Sequence, residues 1–272
     1  MLNLKRDGHI HTPFCPHGSA DVLDAYVEKA IANGFTEISF TEHAPLPPSF
    51  VDPTPDQDSG MSFASLETYF TEIAHVKQKY ANTIKINCGL EVDFIEGYEE
   101  ETTTFLNTYG KELDDAILSV HFLQIATDYY CIDFSPEVFE AFAHRVGSIP
   151  NAYAHYYRTV KKSITTDLGP FKPKRIGHPT LIHKFQHAHP YYVDDEAMVK
   201  DILLAMKQHG LELDLNSAGL QKPQCLEPYP PYAYFSFIQE IELPYVFGSD
   251  AHTVKGLHQY YEAIQKGLHY HV

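Results

Sequence analysis

The sequence predicts an α/β protein on a parallel sheet, most simply a barrel one strand–helix unit short of eight. Three observations point there. Short β-like runs alternate with amphipathic helical runs along the chain. The 272 residues match the roughly 250 of an α/β barrel without a linker. No composition shift, repeat or low-complexity stretch divides them, so one domain over residues 1–272 is expected. An open doubly wound sheet fits the local pattern nearly as well.

In chain order, seven runs read as strands: Lys5–His11, Thr36–Thr41, Ile84–Glu91, Ala116–His121, Arg175–His178, Leu211–Asn216 and Tyr245–Ser249. Ala20–Asn33 reads as a helix, with Gly34 as its C-terminal stop and Ser19 or Asp21 as its cap. Ser62–Tyr80, Asp194–His209 and Tyr232–Ile241 carry amphipathic spacing. The acidic run Glu96–Glu101 suits a solvated helix start. Ala44–Gly60 holds five prolines after a strand and is too long for a routine connection, so a lid or mobile loop is expected. Lys222–Pro231 is a second Pro-rich piece after a strand. Loops after strands gather at the C-terminal face of a parallel barrel, where active sites form.

Composition narrows the function. The formal charge of −16 opposes broad phosphate-backbone binding, so no nucleic-acid partner is expected. No apolar run is long enough to span a membrane, and the start lacks the apolar stretch of a secretory signal. The four cysteines form no Cys-x-x-Cys pair, which excludes a zinc ribbon and suits a reduced, cytoplasmic protein. No Gly-rich phosphate loop or nucleophile elbow is present.

Histidine, with 17 copies, is the outlier. The first strand carries His9 and His11, which alternation puts on one face, and His17 follows in the next loop. His43, Glu91, His121, His178, and the pair Asp250 and His252 stand at the ends of later strands. In a barrel these ends converge on one mouth. Neutral imidazoles with carboxylates suit Zn, Mn or Fe. Nine candidates are too many for one ion and generous for two, while three divalent ions with a shared carboxylate fit well. His75, His144, His155 and His209 lie in helical segments and suit solvent or packing roles. His269 and His271 suit a frayed tail. Among the scarce arginines, Arg6 and Arg175 stand near strand starts, and Arg158 is the preferred phosphate contact.

These residues carry a resemblance over nearly the whole chain. DGHIHTPFCPHGS (7–19), TEHAPLP (41–47), GLEVDF (89–94), SVHFL (119–123), GHPTLIHKF (177–185) and GSDAH (248–252) resemble, in order, the motifs of the PHP family (polymerase and histidinol phosphatase), in particular its histidinol-phosphate phosphatases. The resemblance implies a distorted (β/α)7 TIM-like barrel and a trinuclear site at the C-terminal face of the strands. It assigns His9, His11, Glu91 and Asp250 to one ion. Glu91, His121 and His178 take the second, and His17, His43 and His252 the third. It also implies a basic side chain near His183, where this chain reads His183-Lys184.

The expected reaction is hydrolysis of a small phosphate monoester, L-histidinol phosphate in histidine biosynthesis. A hydroxide bridging two ions would attack phosphorus, with Asp250 or His252 supplying or relaying the proton. Arg158 and His183 are candidates for the phosphate, and Glu112 and the 44–60 loop for the amine and imidazole. The alternatives are a nucleotide- or diester-hydrolysing relative and a non-catalytic metal-binding module. A dinuclear amidohydrolase-type barrel is weaker, because no bridging Lys stands at a strand end. The sequence leaves the oligomeric state open.

Overall fold

A computed structural model describes residues 5–189 and 192–270. The described residues form nine strands: β1 (Arg6–Ile10), β2 (Glu37–His43), β3 (Lys85–Asp93), β4 (Asp115–Ser119), β5 (Phe122–Ile125), β6 (Asp128–Cys131), β7 (Arg175–Ile176), β8 (Glu212–Asn216) and β9 (Tyr245–Gly248). Seven pair in parallel in the order β1-β2-β3-β4-β7-β8-β9, while β5 and β6 form a separate antiparallel hairpin. The two edges meet at the C-terminal end. Ile10 bridges Ala251, His11 N donates to Ala251 O at 3.0 Å, and Asp250 N donates to His9 O at 2.8 Å. The sheet is therefore a nearly closed barrel, and the open doubly wound alternative is overturned.

The helices are α1 (Leu23–Ala32), α2 (Phe63–Lys79), α3 (Glu99–Tyr109), α4 (Pro136–Arg145), α5 (Ile149–Thr165), α6 (Glu196–Gln208), α7 (Phe235–Glu240) and α8 (Tyr261–Tyr270). Gly34 stops α1 at φ +74°, letting Gly34 N reach Ile31 O and Phe35 N reach Ala30 O. The start of α1 differs from expectation: Val22 occupies the cap position without a side-chain bond. Asp21 instead accepts from Val254 N at 2.8 Å and ties the helix to the loop after β9. Ser62 caps α2, which fills the expected Ser62–Tyr80 segment, and α3 opens on Glu99, Glu100 and Glu101. The β5–β6 hairpin was not expected, while α4 and α5 fall where the segments around His144 and His155 read as helical. Ser135 and Ser148, each closely followed by a proline, cap the two helices.

The core lies between the strands' outer faces and the helices. Ile38, Phe40, Leu90, Leu118, Leu213 and Leu215 are fully buried there. Each such side chain contributes about 1.5–3 kcal/mol. The barrel interior is polar instead: Asn87 donates to Ser39 at 3.1 Å and Ser119 to Glu91 at 2.6 Å. These inward groups climb toward the strand ends and set up the site.

The Pro-rich loop after β2 is a fixed wall. Phe50 is buried among Phe122, Tyr129 and Tyr98 with ring centroids 5.0–5.2 Å away. The buried Asp52 accepts from Thr54 N and Oγ1 and from Ser59 N, at 2.8–3.0 Å. Among the described residues, no helix is long and apolar enough to cross a membrane.

Candidate metal centre

His9 and His11 leave β1 on one face, and a carboxylate orients each ring. His9 Nδ1 lies 2.8 Å from Asp214 Oδ2, and His11 Nδ1 lies 3.1 Å from Glu42 Oε1. An ionised carboxylate only accepts, so each Nδ1 carries the hydrogen and each Nε2 turns a lone pair inward. The two Nε2 atoms are 3.3 Å apart. Glu91 Oε2 stands 3.4 and 3.5 Å from them, and Asp250 Oδ1 3.7 and 3.2 Å. Four acceptors therefore face one another. Among the described residues, Glu91 Oε2 is buried without a hydrogen-bond partner. A cation among them resolves the conflict, and nitrogen with carboxylate oxygen suits Zn, Mn or Fe.

Around this point the side chains fall into three groups, each with ligand atoms within 4.8 Å of one another: His9, His11 and Asp250; Glu91, His121 and His178; and His11, Cys15, His43 and His252. Glu91 links them. Its Oε1 is 2.9 Å from His178 Nε2 and 3.9 Å from His121 Nε2, and its Oε2 is 3.1 Å from His43 Nδ1. Asp93 orients His121 through Nδ1 at 2.8 Å. His17 stands at the edge, exposed, its ring 5.1 Å from that of His43 and 5.2 Å from that of His252. Its Nδ1–H donates to the Asp58 carbonyl at 2.9 Å, which joins it to the Pro-rich loop.

The backbone bends to deliver these groups. His178 and Asp250 have φ of +23° and +53°, a conformation that costs side-chain-bearing residues energy and concentrates at functional sites. Gly177 and Gly248 precede them for a steric reason: a Cβ would collide with Ser119 Oγ at the first and Asp214 Oδ1 at the second. Both of those partners orient ligand residues.

Electrostatics follow from the crowding. Burial opposes charging His9, but Asp214, Asp250 and Glu91 outweigh it and lift its pKa well above 6.5. Burial likewise opposes His11, yet hydrogen bonds to Asp250 and Glu42 raise it to about 9. Burial pushes the Glu91 and Asp250 carboxyls up, and the surrounding histidines bring both well below the usual range. Burial and then the His11 charge hold His252 well below 6.5. In the protein alone, protons take the place a cation would fill, so metal binding competes with protonation.

Above the cluster opens a cavity of 590 Å³. His17, His43, Glu91, His121, His178, Asp250 and His252 line it, as do Thr54, Asp58 and Ser59 of the Pro-rich loop. Three predicted substrate contacts do not. Arg158 points from α5 as an exposed side chain, and Glu112 is exposed in a turn before β4, at the strand-start end. His183 is buried outside the cavity wall, between Glu227 at 2.6 Å and Asp195 at 2.7 Å. Its neighbour Lys184 lines the cavity instead, its Nζ 2.8 Å from Asp133 Oδ2. Of the helical histidines, His75, His144 and His209 are exposed and His155 is half-buried. His269 is exposed on α8, and His271 lies outside the described residues.

Sequence reasoning also missed Cys15, Glu42, Asp93 and Asp214 as site residues. Cys15 lacks a paired cysteine, and its only signal is its place in the loop joining His11 to His17. Asp93 and Asp214 had a clearer one. Asp93 shares its face with Glu91, and Asp214 with Asn216, inside otherwise apolar strands.

A seven-stranded parallel barrel whose strand ends converge on a cation-demanding cluster defines a class, the metal-binding barrels with their site at the C-terminal face. The comparisons narrow this. The PHP domain profile matches residues 7–218. The histidinol-phosphatase of Bacillus subtilis is 48% identical over 261 residues, covering 95% of this chain and 97% of that protein. The crystal structure of a candidate histidinol phosphatase, hisK of Listeria monocytogenes, superposes with a TM-score of 0.90 at 40% identity, covering 95% of this chain and 99% of that one. That of the Lactococcus lactis histidinol phosphate phosphatase, complexed with zinc, L-histidinol and phosphate, shares the fold at TM-score 0.71 and 21% identity, over 96% and 93% of the two chains. The chain belongs to the PHP domain family and, within it, to the family of the histidinol-phosphatases.

Proposed function

We propose that this protein hydrolyses L-histidinol phosphate to L-histidinol and inorganic phosphate. One observation carries the chemistry: inward-facing acceptors with an orphaned buried Glu91 oxygen lie at the base of an open cavity. The 48% identity to a histidinol-phosphatase carries the substrate. We assign His9, His11, Glu91 and Asp250 to one ion. Glu91, His121 and His178 hold a second, and His17, His43 and His252 a third. The profile ends at residue 218, yet Asp250 and His252 close the cluster, so we treat the chain as one domain. Divalent ions held there supply Lewis acidity and draw the pKa of water toward 7.

The chain's own groups do the rest. Lys184 brings a half-buried positive charge to the cavity wall, where an incoming phosphate can share it with Asp133. Ionised Asp250 can accept a proton from the attacking water. The proton that Asp250 takes up can then pass to the leaving oxygen, while neutral His252, its Nδ1 3.1 Å from the Asp250 carbonyl, has no proton of its own to supply. The four cysteines are unpaired, which suits a reducing compartment, and we place the enzyme in the cytoplasm.

The test is phosphate release from L-histidinol phosphate, a 5′-nucleotide and a phosphodiester, on protein loaded separately with Zn, Mn or Fe. The expected result is strong preference for the first, with metal content approaching the three ions assigned. A preference for nucleotide or diester would discard the substrate, and bound metal with no turnover would favour a binding module.

A further inference from the structure

Among the described residues the cavity holds five carboxylates, and four lie within 3.2 Å of a histidine or lysine nitrogen. Glu91 and Asp250 face the histidine cluster, with Glu91 2.9 Å from His178 and Asp250 3.2 Å from His11. Asp93 is 2.8 Å from His121, and Asp133 is 2.8 Å from Lys184. The fifth is Asp58. Among the described residues, its carboxylate takes part in no hydrogen bond or ion pair, yet the residue is half-buried in the cavity wall.

Its backbone is held. The Asp58 carbonyl accepts from His17 Nδ1, and the preceding Gln57 turns the chain at φ +51°. Asp52 ties Ser59 and Thr54 on either side, and Met61 N donates to His43 O at 3.2 Å. The loop therefore fixes this carboxylate at the rim beside the histidines, with little left to order on binding.

We propose that Asp58 is the specificity-determining anchor for a cationic group carried by the phosphate ester, in histidinol phosphate its primary ammonium. The inference rests on the reading of the site as a phosphatase for that ester. The chemistry is complementary. The phosphate needs the cation-rich base of the cavity, while the ammonium lies close to the ester oxygen and needs an anion at the rim. An ester without the ammonium leaves Asp58 desolvated and unpaired, a stronger rejection than loss of an apolar contact.

The test uses the metal-loaded full chain, Asp58→Asn and Asp58→Glu. The substrates are histidinol phosphate and imidazolylpropyl phosphate, the same ester without its amine. A hydrogen bond between charged groups converts to roughly a 10- to 100-fold effect. The wild type should favour the amine-bearing ester by about that factor in kcat/KM. Asp58→Asn should bring the ratio close to one through KM, and Asp58→Glu should restore part of it, with metal content unchanged in both. An unchanged ratio in Asp58→Asn overturns the proposal. So does loss of bound metal in Asp58→Asn, which would make Asp58 a support for His17. A wild type that hydrolyses neither ester while cleaving a nucleotide overturns the functional reading instead.

Discussion

At the strand starts the barrel buries positive groups against negative ones; at the strand ends it buries acceptors against acceptors. In the floor, Arg175 is 1% exposed, with Nη2 2.6 Å from Asp115 Oδ2 and 2.9 Å from Gly8 O. Arg6 reaches the same Asp115 oxygen at 2.6 Å and Glu37 at 3.2 Å. The charges there are matched within the chain, although Arg175 Nε and Nη1 find no acceptor among the described residues. In the mouth, the Nε2 atoms of His9 and His11 face each other, Glu91 and Asp250, and among the described residues no lysine or arginine pairs with either carboxylate. The difference separates two uses of buried charge. A network that neutralises itself holds the fold together. A network that needs a foreign cation is kept for what that cation does.

The largest break in this contrast is at Glu91. Glu91→Gln keeps the shape and removes the charge that links the three groups. Turnover should fall by about 10³-fold or more, and bound metal per chain should drop. Phosphate release and metal counting check this. Full turnover with full metal would make the mouth as self-sufficient as the floor.

The floor gives the reciprocal case. Arg175→Met leaves Asp115, whose carboxyl burial pushes up and Arg175 and Arg6 hold down, with Arg6 as its one remaining arginine partner. Removing one partner of such a buried pair costs about 3–5 kcal/mol. Denaturant unfolding should show that loss, while metal content and kcat per folded chain stay at wild-type values. Lost metal with unchanged stability would join the two ends into one system.

The same contrast explains what the sequence could and could not disclose. Strand-end histidines and carboxylates were legible because a parallel barrel converts a position along the chain into a position at the mouth. The expected strands beginning at Thr36 and Ile84 became β2 and β3, running on to His43 and Asp93. The stretch from Phe122 to Thr165 was legible only as helical, because a hairpin and two helices stand where the strand–helix alternation leads one to expect a single helix. Glu112 failed as a substrate contact for a related reason: it precedes β4, at the floor end, and its acidity says nothing about which end it occupies. Asp214 was missed although it alternates with Asn216 on one face of β8, and only the fold pairs it with a histidine 205 residues away.

Asp214 sharpens the contrast because it orients a ligand without joining the cluster. Asp214→Asn leaves a hydrogen-bond acceptor for His9 Nδ1 but removes the charge that makes the ring a better donor to metal. Metal affinity should fall about 10- to 100-fold, as is typical of such outer partners. Titration with a competing chelator reads it, and excess metal should restore most of the turnover. Unchanged affinity would mean that the fold alone sets the His9 ring.

The smallest effect lies between the two ends, where His183 joins the loop after β7 to Glu227 and Asp195. Burial opposes its charge, but bonds to both carboxylates raise its pKa from 6.5 to about 9. The folded value exceeds the unfolded one, so the stabilisation is complete below pH 6.5 and is lost as pH rises through 9. Tyr157 also donates to Asp195, so part of the network survives. The remaining contribution is about 1–2 kcal/mol. In denaturant unfolding of metal-loaded protein, the gap between wild type and His183→Gln should be widest below pH 6.5 and should close above pH 9. A gap independent of pH would mean that His183 acts by packing against Tyr153 rather than by charge, and would place it with the floor's self-contained structure, apart from the cavity that its neighbour Lys184 lines.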